Sequence, residues 1–208
     1  MSDVKHRVQV FRASDGAHVR TIGSWGSGAD QLLHPRGVCL SPDNERLYVV
    51  DCENCRVQVY RAADGAHLLS INAHNHMQAP SSCCVSSDAK FLFVSDRRGA
   101  IQVFCTADGA HERSVGDGVV HRAFGIQLSP CGAFLFVADE GNNCVRVLNA
   151  ADSSACELTV RTRAASTGAG ADRLSHPRGI SWTRTPTGDE HLCVTDSSAC
   201  CLHHFSAF

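Results

Sequence analysis

The sequence predicts an all-β repeat protein built as a β-propeller. Its central stretch, His34–Tyr60, holds a turn followed by three short strand-like runs, and the chain repeats this stretch in decaying copies. The tripeptide Val-Val-Asp at 49–51 returns as Val-Ser-Asp, Val-Ala-Asp and Val-Thr-Asp. Its final residue recurs at steps of 45, 43 and 57 residues: Asp51, Asp96, Asp139 and Asp196. A period in the forties with several strands per unit is typical of a propeller blade.

Each repeat is predicted to contain four strands. The first is short and apolar, as in Val38–Leu40, which suits the innermost strand of a blade. The second ends at the recurring Asp, as in Arg46–Asp51. The third, Arg56–Tyr60, alternates apolar and polar residues, the period-two pattern of a strand with one buried face. The fourth, Leu68–Ile71, follows an Asp-Gly pair, which favours a tight hairpin because glycine readily adopts positive φ.

Strand counting gives about four and a half blades. Residues 1–33 supply a half blade, and further blades begin near residues 34, 79, 122 and 176, the last one incomplete. The whole chain, 1–208, is therefore interpreted as a single propeller domain. Three arrangements remain open: an arc of a longer propeller, which we favour, a small ring completed by the N-terminal strands, or two cooperating chains. An open arc exposes strand edges, so self-association through those edges is expected to be a hazard.

Composition narrows the classes of function. The 208 residues carry a net charge of −2, which gives no electrostatic footprint for non-specific nucleic-acid binding. No signal peptide and no apolar run long enough for a transmembrane helix are recognised, so we expect a cytoplasmic location and no membrane partner. The twelve cysteines are then expected to be reduced thiols that mostly act as small core hydrophobes.

The segment that reads HPRGVCLSPDNERLYVVDCENCRVQVYRAADGAHLLSI resembles the NHL-repeat unit. The shared features are a turn with Pro and Gly, a strand ending in Val-x-Asp, an Asn-bearing loop, Arg-Val-x-Val-aromatic and Asp-Gly. The resemblance is specific in this copy and weaker in the others, where Cys144 and Cys201 replace Arg56. It implies a β-propeller, most often six-bladed in this family.

Two sets of repeated or clustered residues have structural interpretations. The recurring Asp51, Asp96, Asp139 and Asp196 are expected to accept backbone N–H bonds in the turn that follows each of them. Cys52 and Cys55 have C-x-x-C spacing, but the sequence holds no second such pair to complete a zinc site. We therefore predict no metal and no cofactor.

The candidate binding surface is a loop-lined face of the propeller. The connections before the inner strands and the loops after each Val-x-Asp are expected on the same face, where guanidinium groups suit carboxylate, phosphate or carbonyl partners. This set comprises Arg36, Asn54, Arg97, Arg98, Asn142, Asn143 and Arg178.

The predicted function is a non-catalytic protein-binding scaffold whose partner the sequence does not name. No G-x-S-x-G nucleophile context and no phosphate-binding loop occurs, so no catalytic residue is assigned. Two alternatives remain. RNA binding through the same face, as in some members of the family that the chain resembles, is disfavoured by the net charge. A propeller enzyme of the metal-dependent hydrolase or lyase type needs axial ligands, and Cys39, Cys84, Gln127 and Ser181 on the inner strands form a poor set.

Overall fold

The computed structural model describes residues 2–3, 5–72, 75–151, 158–160, 174–184, 188–198 and 201–206. In these ranges the regular elements are twenty strands and one 3-10 helix at Glu140–Asn142. The strands are β1 (Ser2–Asp3), β2 (Arg7–Phe11), β3 (His18–Ile22), β4 (Ser24–Trp25), β5 (Gln31–Leu32), β6 (Pro35–Leu40), β7 (Arg46–Asp51), β8 (Arg56–Arg61), β9 (His67–Asn72), β10 (Pro80–Val85), β11 (Phe91–Asp96), β12 (Ile101–Cys105), β13 (His111–Val115), β14 (Ala123–Leu128), β15 (Phe134–Asp139), β16 (Cys144–Asn149), β17 (Leu158–Val160), β18 (Pro177–Arg184), β19 (Glu190–Asp196) and β20 (Cys201–Ser206). No helix in the described part of the chain is long and apolar enough to cross a membrane.

The predicted four-stranded repeats are confirmed. Strands β6–β9, β10–β13 and β14–β17 each form a sheet whose strand order follows the chain, and β18–β20 form a three-stranded sheet. Each sheet begins with the predicted inner strand. In the first of them, β6 (Pro35–Leu40) includes the predicted Val38–Leu40 and is longer at its N-terminal end. For the last repeat the sequence also predicts a longer connection, 162–179, and a longer hairpin loop, 184–191. Of these, 162–173 and 185–187 lie outside the described residues.

The N-terminal sheet contains one strand more than the sequence predicts. Residues 1–33 were expected to supply two strands, and these are β2 and β3. Strand β1 adds a third, with Ser2 opposite Val8 and Asp3 opposite Arg7. The connection to the next sheet also holds a short parallel pair, β4 with β5. Two-residue strands carry too few residues for an alternating pattern, which is why sequence periodicity does not reveal them.

Tight Asp-Gly hairpins join the third and fourth strands, as predicted. At the turn after β8, the N–H of Arg61 donates to the carbonyl of Ala66 at 2.7 Å, and Asp64 Oδ1 accepts from the N–H of Ala66 at 3.0 Å. The glycine of this turn, Gly65, has φ of +80°. The Asp side chain therefore closes the turn while the glycine supplies the left-handed backbone.

The chain forms two compact units. The first comprises Met1–Val94 with Gln102–Arg113, and the second comprises Ser95–Ile101 with Ser114–Phe208. The core of the first unit is built around Tyr48, Val59 and Phe104, with a second cluster around Tyr60 and Leu32. The core of the second unit includes Phe136, Val145, Val147, Leu174, Leu192 and Val194. The single-domain interpretation of 1–208 stays a prediction.

Glycines allow the inner strands of neighbouring sheets to approach closely. In the first unit a Cβ at Gly37 on β6 would lie 2.6 Å from Ser82 Cα on β10. In the second unit a Cβ at Gly125 on β14 would lie 2.5 Å from the carbonyl oxygen of Arg178 on β18. Real Cβ atoms do not tolerate such distances, so the HPRG-type turn needs its glycine for packing as well as for bending.

Candidate functional site

The recurring aspartates bind backbone and side chains inside the protein. Asp51 Oδ1 accepts from the N–H of Leu33 at 2.6 Å, while Oδ2 accepts from Asn54 Nδ2 and Arg56 Nε, each at 2.8 Å. Leu33 precedes the inner strand β6, so this carboxylate joins the end of β7 to the start of the sheet. The N–H donor therefore lies in the turn before the inner strand, whereas the sequence predicts a donor in the turn that follows β7.

The other three copies share this task in part. Asp139 Oδ1 accepts from the N–H of His121 at 3.0 Å, and Asp196 Oδ2 accepts from the N–H of Ser175 at 2.5 Å. Asp96 and Asp196 also accept from the following turn, as predicted, through the N–H groups of Arg98 and Ser198. The repeated Asp is thus positioned to hold turns together.

Two of the predicted surface amides contribute to the same framework. Asn54 Nδ2 donates to Asp51 Oδ2 and to the carbonyl of Gly26, and Asn142 Nδ2 donates to Asp139 Oδ2 and to the carbonyl of Val119. Their amide donors are therefore satisfied inside the protein. A contact of these two residues with a partner stays a prediction.

The remaining predicted residues lie nearer the surface. Arg36 and Arg98 are exposed. Asn143 is also exposed, has φ of +52°, and accepts a hydrogen bond on Oδ1 from the N–H of His176 at 3.0 Å. Arg97 and Arg178 both contact one aromatic ring.

That ring belongs to Phe124, which sequence reasoning missed. The guanidinium carbon of Arg178 lies 4.8 Å from the ring centroid, and that of Arg97 lies 5.3 Å from it. Both distances are in the range of cation–π contacts. At the entry to β14 the sequence no longer reads HPRG, and Phe124 occupies the place that Arg36 and Arg178 hold in better-preserved copies of the repeat. Only a comparison of these entries could have drawn attention to Phe124.

A buried carboxylate supports the same group. Glu140 opens the 3-10 helix after β15, and its side chain is 1% exposed. Its Oε1 accepts from Nε and Nη2 of Arg178, each at 3.2 Å. Its Oε2 lies 3.1 Å from Nη2 of Arg122, an ion pair that is not aligned as a hydrogen bond. Nothing in the sequence indicates this role for Glu140, because a single carboxylate after a Val-x-Asp strand matches no motif.

We call Arg97, Arg122, Phe124, Glu140 and Arg178 the arginine cluster. All five residues belong to the second unit. Three guanidinium groups against one carboxylate leave a net positive charge, and the side chains of Arg122 and Arg178 are 56% and 51% exposed. Nε of Arg97 is buried with no hydrogen-bond partner among the described residues. Chemically, this arrangement offers pre-oriented N–H donors to an anionic group.

Neither the thiols nor the acidic residues assemble a metal centre in the part of the chain that is described. No group of three or more His, Cys, Asp or Glu side chains there lies close enough together to hold a metal ion. Cys52 is buried and Cys55 is half-buried.

Residues 32–60 match the sequence model of one protein family, described as the NHL repeat. This segment is an NHL repeat. The match covers β6, β7 and most of β8, together with the turn that leads into β6, so the resemblance predicted from His34–Tyr60 is confirmed. No curated protein sequence matched the chain.

Among solved structures, the chain is similar to hydrazine synthase of Kuenenia stuttgartiensis, with a TM-score of 0.65 and 15% identity. The alignment covers 97% of this chain and 60% of that one, so the chain spans about three-fifths of the length of the enzyme chain. At this identity the similarity concerns the fold alone. Together with the consecutive antiparallel sheets, it confirms the all-β propeller class.

Proposed function

We propose that this NHL-repeat chain is a protein-binding module that catalyses no reaction, and that the arginine cluster contacts an acidic segment of its partner. One observation carries the proposal: half-exposed guanidinium groups are held in place by a buried carboxylate and an aromatic ring. A propeller fold built from NHL repeats supports a general role in protein interaction, and the cluster supplies the chemistry for a particular partner.

The geometry reduces the side-chain conformational entropy that is lost on binding. An exposed arginine normally loses rotamer freedom when it meets a ligand. Arg178 is already restrained by two bonds to Glu140 and by the face of Phe124, so less freedom remains to be lost. Arginine is one of the residue types enriched among the residues that contribute most of the binding energy of protein interfaces.

A protein partner is favoured over RNA by charge. The net charge of the chain is −2, whereas non-specific nucleic-acid binding relies on neutralising many phosphates with a broad basic face. The aromatic ring of the cluster is 6% exposed and covered by guanidinium groups, so it offers no open platform on which a base could stack.

The direct test is a binding assay with fluorescein-labelled peptides. A set of acidic decapeptides, with neutral and basic sets of the same length, is titrated with the purified chain and followed by fluorescence anisotropy. We expect binding to be confined to acidic members. The variant Arg97→Ala/Arg178→Ala is expected to weaken it by about tenfold or more, a free-energy change of 1.4 kcal/mol or more.

The matched control is Arg12→Ala/Arg61→Ala. It removes the same charge from exposed arginines that pair with Asp15 and Asp64 in hairpin turns of the first unit. Its affinity is expected to equal that of the unaltered chain. The proposal is overturned if both double variants lose affinity equally, or if affinity does not depend on the charge of the peptide. Salt-dependent retention of a single-stranded RNA that is lost in Arg97→Ala/Arg178→Ala overturns it in favour of RNA.

A further inference from the structure

Two thiols meet between neighbouring inner strands of the first unit. Cys39 Sγ on β6 lies 3.2 Å from Cys83 Sγ on β10, and the two residues are 44 positions apart in the chain. The sulfur atoms need to approach by only about 1.2 Å to reach the bond length of a disulfide, about 2.05 Å.

The backbones of the two strands approach closely beside the thiol pair. Gly37 stands two residues before Cys39 on β6. A Cβ at Gly37 would meet the backbone of β10 at Ser82, the residue before Cys83. The glycine therefore brings the two strands together next to the thiol pair. Cys84 follows Cys83 directly, so its side chain points to the opposite face of β10.

The two thiols differ in access. Cys83 is 5% exposed, whereas Cys39 is half-buried. Cys39 also lines an open, mostly apolar cavity of about 420 Å³ together with Val10, Val38 and Leu47. A small oxidant can therefore reach Cys39 first and leave Cys83 as the second, internal thiol.

We propose that Cys39 and Cys83 form a reversible disulfide that cross-links β6 to β10. The oxidant is a low-molecular-weight disulfide such as oxidised glutathione. The thiolate of Cys39 attacks one sulfur of the oxidant and releases one glutathione thiolate. Cys83, once deprotonated, attacks Cys39 Sγ of the mixed disulfide and releases the second glutathione. The protein thiols lose two electrons and two protons, which appear on two molecules of reduced glutathione.

The local environment fits this order of events. The hydrogen bond shared with Cys39, together with burial, keeps the pKa of Cys83 well above its ordinary value. Cys83 therefore remains a protonated thiol until the mixed disulfide forms beside it, which favours attack by Cys39 as the first step.

Cross-linking is expected to stabilise the first unit. Closing a 44-residue segment limits the freedom of the unfolded chain, and disulfides of this kind raise the melting temperature by about 5–15 °C in a protein of this size. The bond fixes two neighbouring inner strands, so oxidation is expected to act on the propeller framework and leave the arginine cluster unaltered.

The test uses the full chain, reduced and then equilibrated with graded ratios of oxidised to reduced glutathione. Remaining thiols are blocked with N-ethylmaleimide, and the protein is digested with trypsin without reduction. We expect a linked pair of peptides, 37–46 and 62–90, whose fragmentation assigns the bond to Cys39 and Cys83. The oxidised monomer is expected to melt at the higher temperature, and dithiothreitol is expected to reverse both changes.

Three cysteine variants distinguish the proposed bond from other thiol pairings. Cys84→Ser is expected to retain the link and the gain in melting temperature, whereas Cys39→Ser and Cys83→Ser are each expected to lose both. Cys39→Ser is the safer of the two because its site is half-buried. A link from Cys39 to Cys84, mixed disulfides that never resolve, intermolecular dimers alone, or an unchanged melting temperature in the linked monomer would each overturn the proposal.

Discussion

Arg56 donates a hydrogen bond of 2.8 Å from Nε to Asp51 Oδ2, and the two residues are opposite partners in the register of β7 and β8. In the third four-stranded sheet the register partner of Asp139 is Cys144, which has no guanidinium group. Arg146, two residues further along β16, reaches Asp139 Oδ2 at 2.6 Å instead. The ion pair is thus retained although the arginine has moved, because residues i and i+2 share one face of a strand.

Removal of the Asp51 carboxylate should lower the free energy of unfolding. Asp51→Ala leaves the Arg56 guanidinium, which is 9% exposed, without its counter-charge. We expect a loss of about 3–5 kcal/mol in the free energy of unfolding, because breaking a buried ion pair leaves an uncompensated charge. Urea denaturation with an unchanged m value measures it. Glu53→Ala removes an exposed carboxylate two residues away and should change stability by no more than about 0.5 kcal/mol. Similar losses in both variants would contradict the role of the pair.

Enlarging the inner-strand glycines should also destabilise the fold. Gly37→Ala and Gly125→Ala bring a Cβ to within 2.6 Å of Ser82 Cα and 2.5 Å of the Arg178 carbonyl oxygen. Overpacking of this kind costs about 1–3 kcal/mol, measured by thermal or urea unfolding. Gly99→Ala is the matched control, because its Cβ would meet nothing within 4 Å. Near-neutral behaviour of Gly37→Ala would show that the strands can separate freely.

His111 should titrate below the usual range for histidine. Burial, followed by the charge of His76, lowers the pKa of His111, and the two rings stack with centroids 3.8 Å apart. NMR titration is expected to show this depression, and His76→Ala is expected to raise the pKa of His111 towards its ordinary value. A pKa of His111 that does not move in His76→Ala would contradict the stacking.

The same depression makes stability depend on pH. Because the folded pKa lies below the unfolded value of about 6.5, the unfolded chain binds the proton first as the pH falls. The contribution of neutral His111 to the free energy of unfolding is therefore complete above pH 6.5 and decreases below it, towards the folded pKa. When the pH is lowered from 7.5 to 5.5, we expect the free energy of urea unfolding to fall less in His111→Gln than in the unaltered chain.

Cys131 should be the fastest to react among the nine cysteines whose thiols the structure describes. It is exposed, and contacts from the Ser129 hydroxyl and the Ala133 N–H hold the pKa of its thiol below the ordinary value. Thiolate content and access together set the rate of alkylation. Iodoacetamide labelling at pH 7, followed by peptide mass spectrometry, tests this order. Ser129→Ala is expected to slow labelling at Cys131, and faster labelling at buried Cys144 would contradict the prediction.

Two of the five residues of the arginine cluster are among those that the sequence predicts for the binding face. Arg97 follows a Val-x-Asp strand, and Arg178 belongs to an HPRG-type turn. The sequence does not predict Arg122, Phe124 or Glu140 for this face, because none of them belongs to a repeated motif. Glu140 lies in the 3-10 helix after β15, and the other two lie at the entry to β14, where the HPRG sequence is lost. Asn54 was predicted as a surface group because its motif gave no sign that its Nδ2 would be satisfied by Asp51.

What the sequence by itself determined is the local and periodic part of the protein. Alternating residues define strands, Asp-Gly defines the hairpins, and the recurring Asp marks each sheet, because these signals arise from neighbours along the chain. Only the tertiary structure decided which side chains meet across strands that are distant in sequence. Glu140 pairs with Arg178 over 38 positions, and Cys39 meets Cys83 over 44. Such contacts depend on the close packing of whole sheets, and local pattern does not encode that packing.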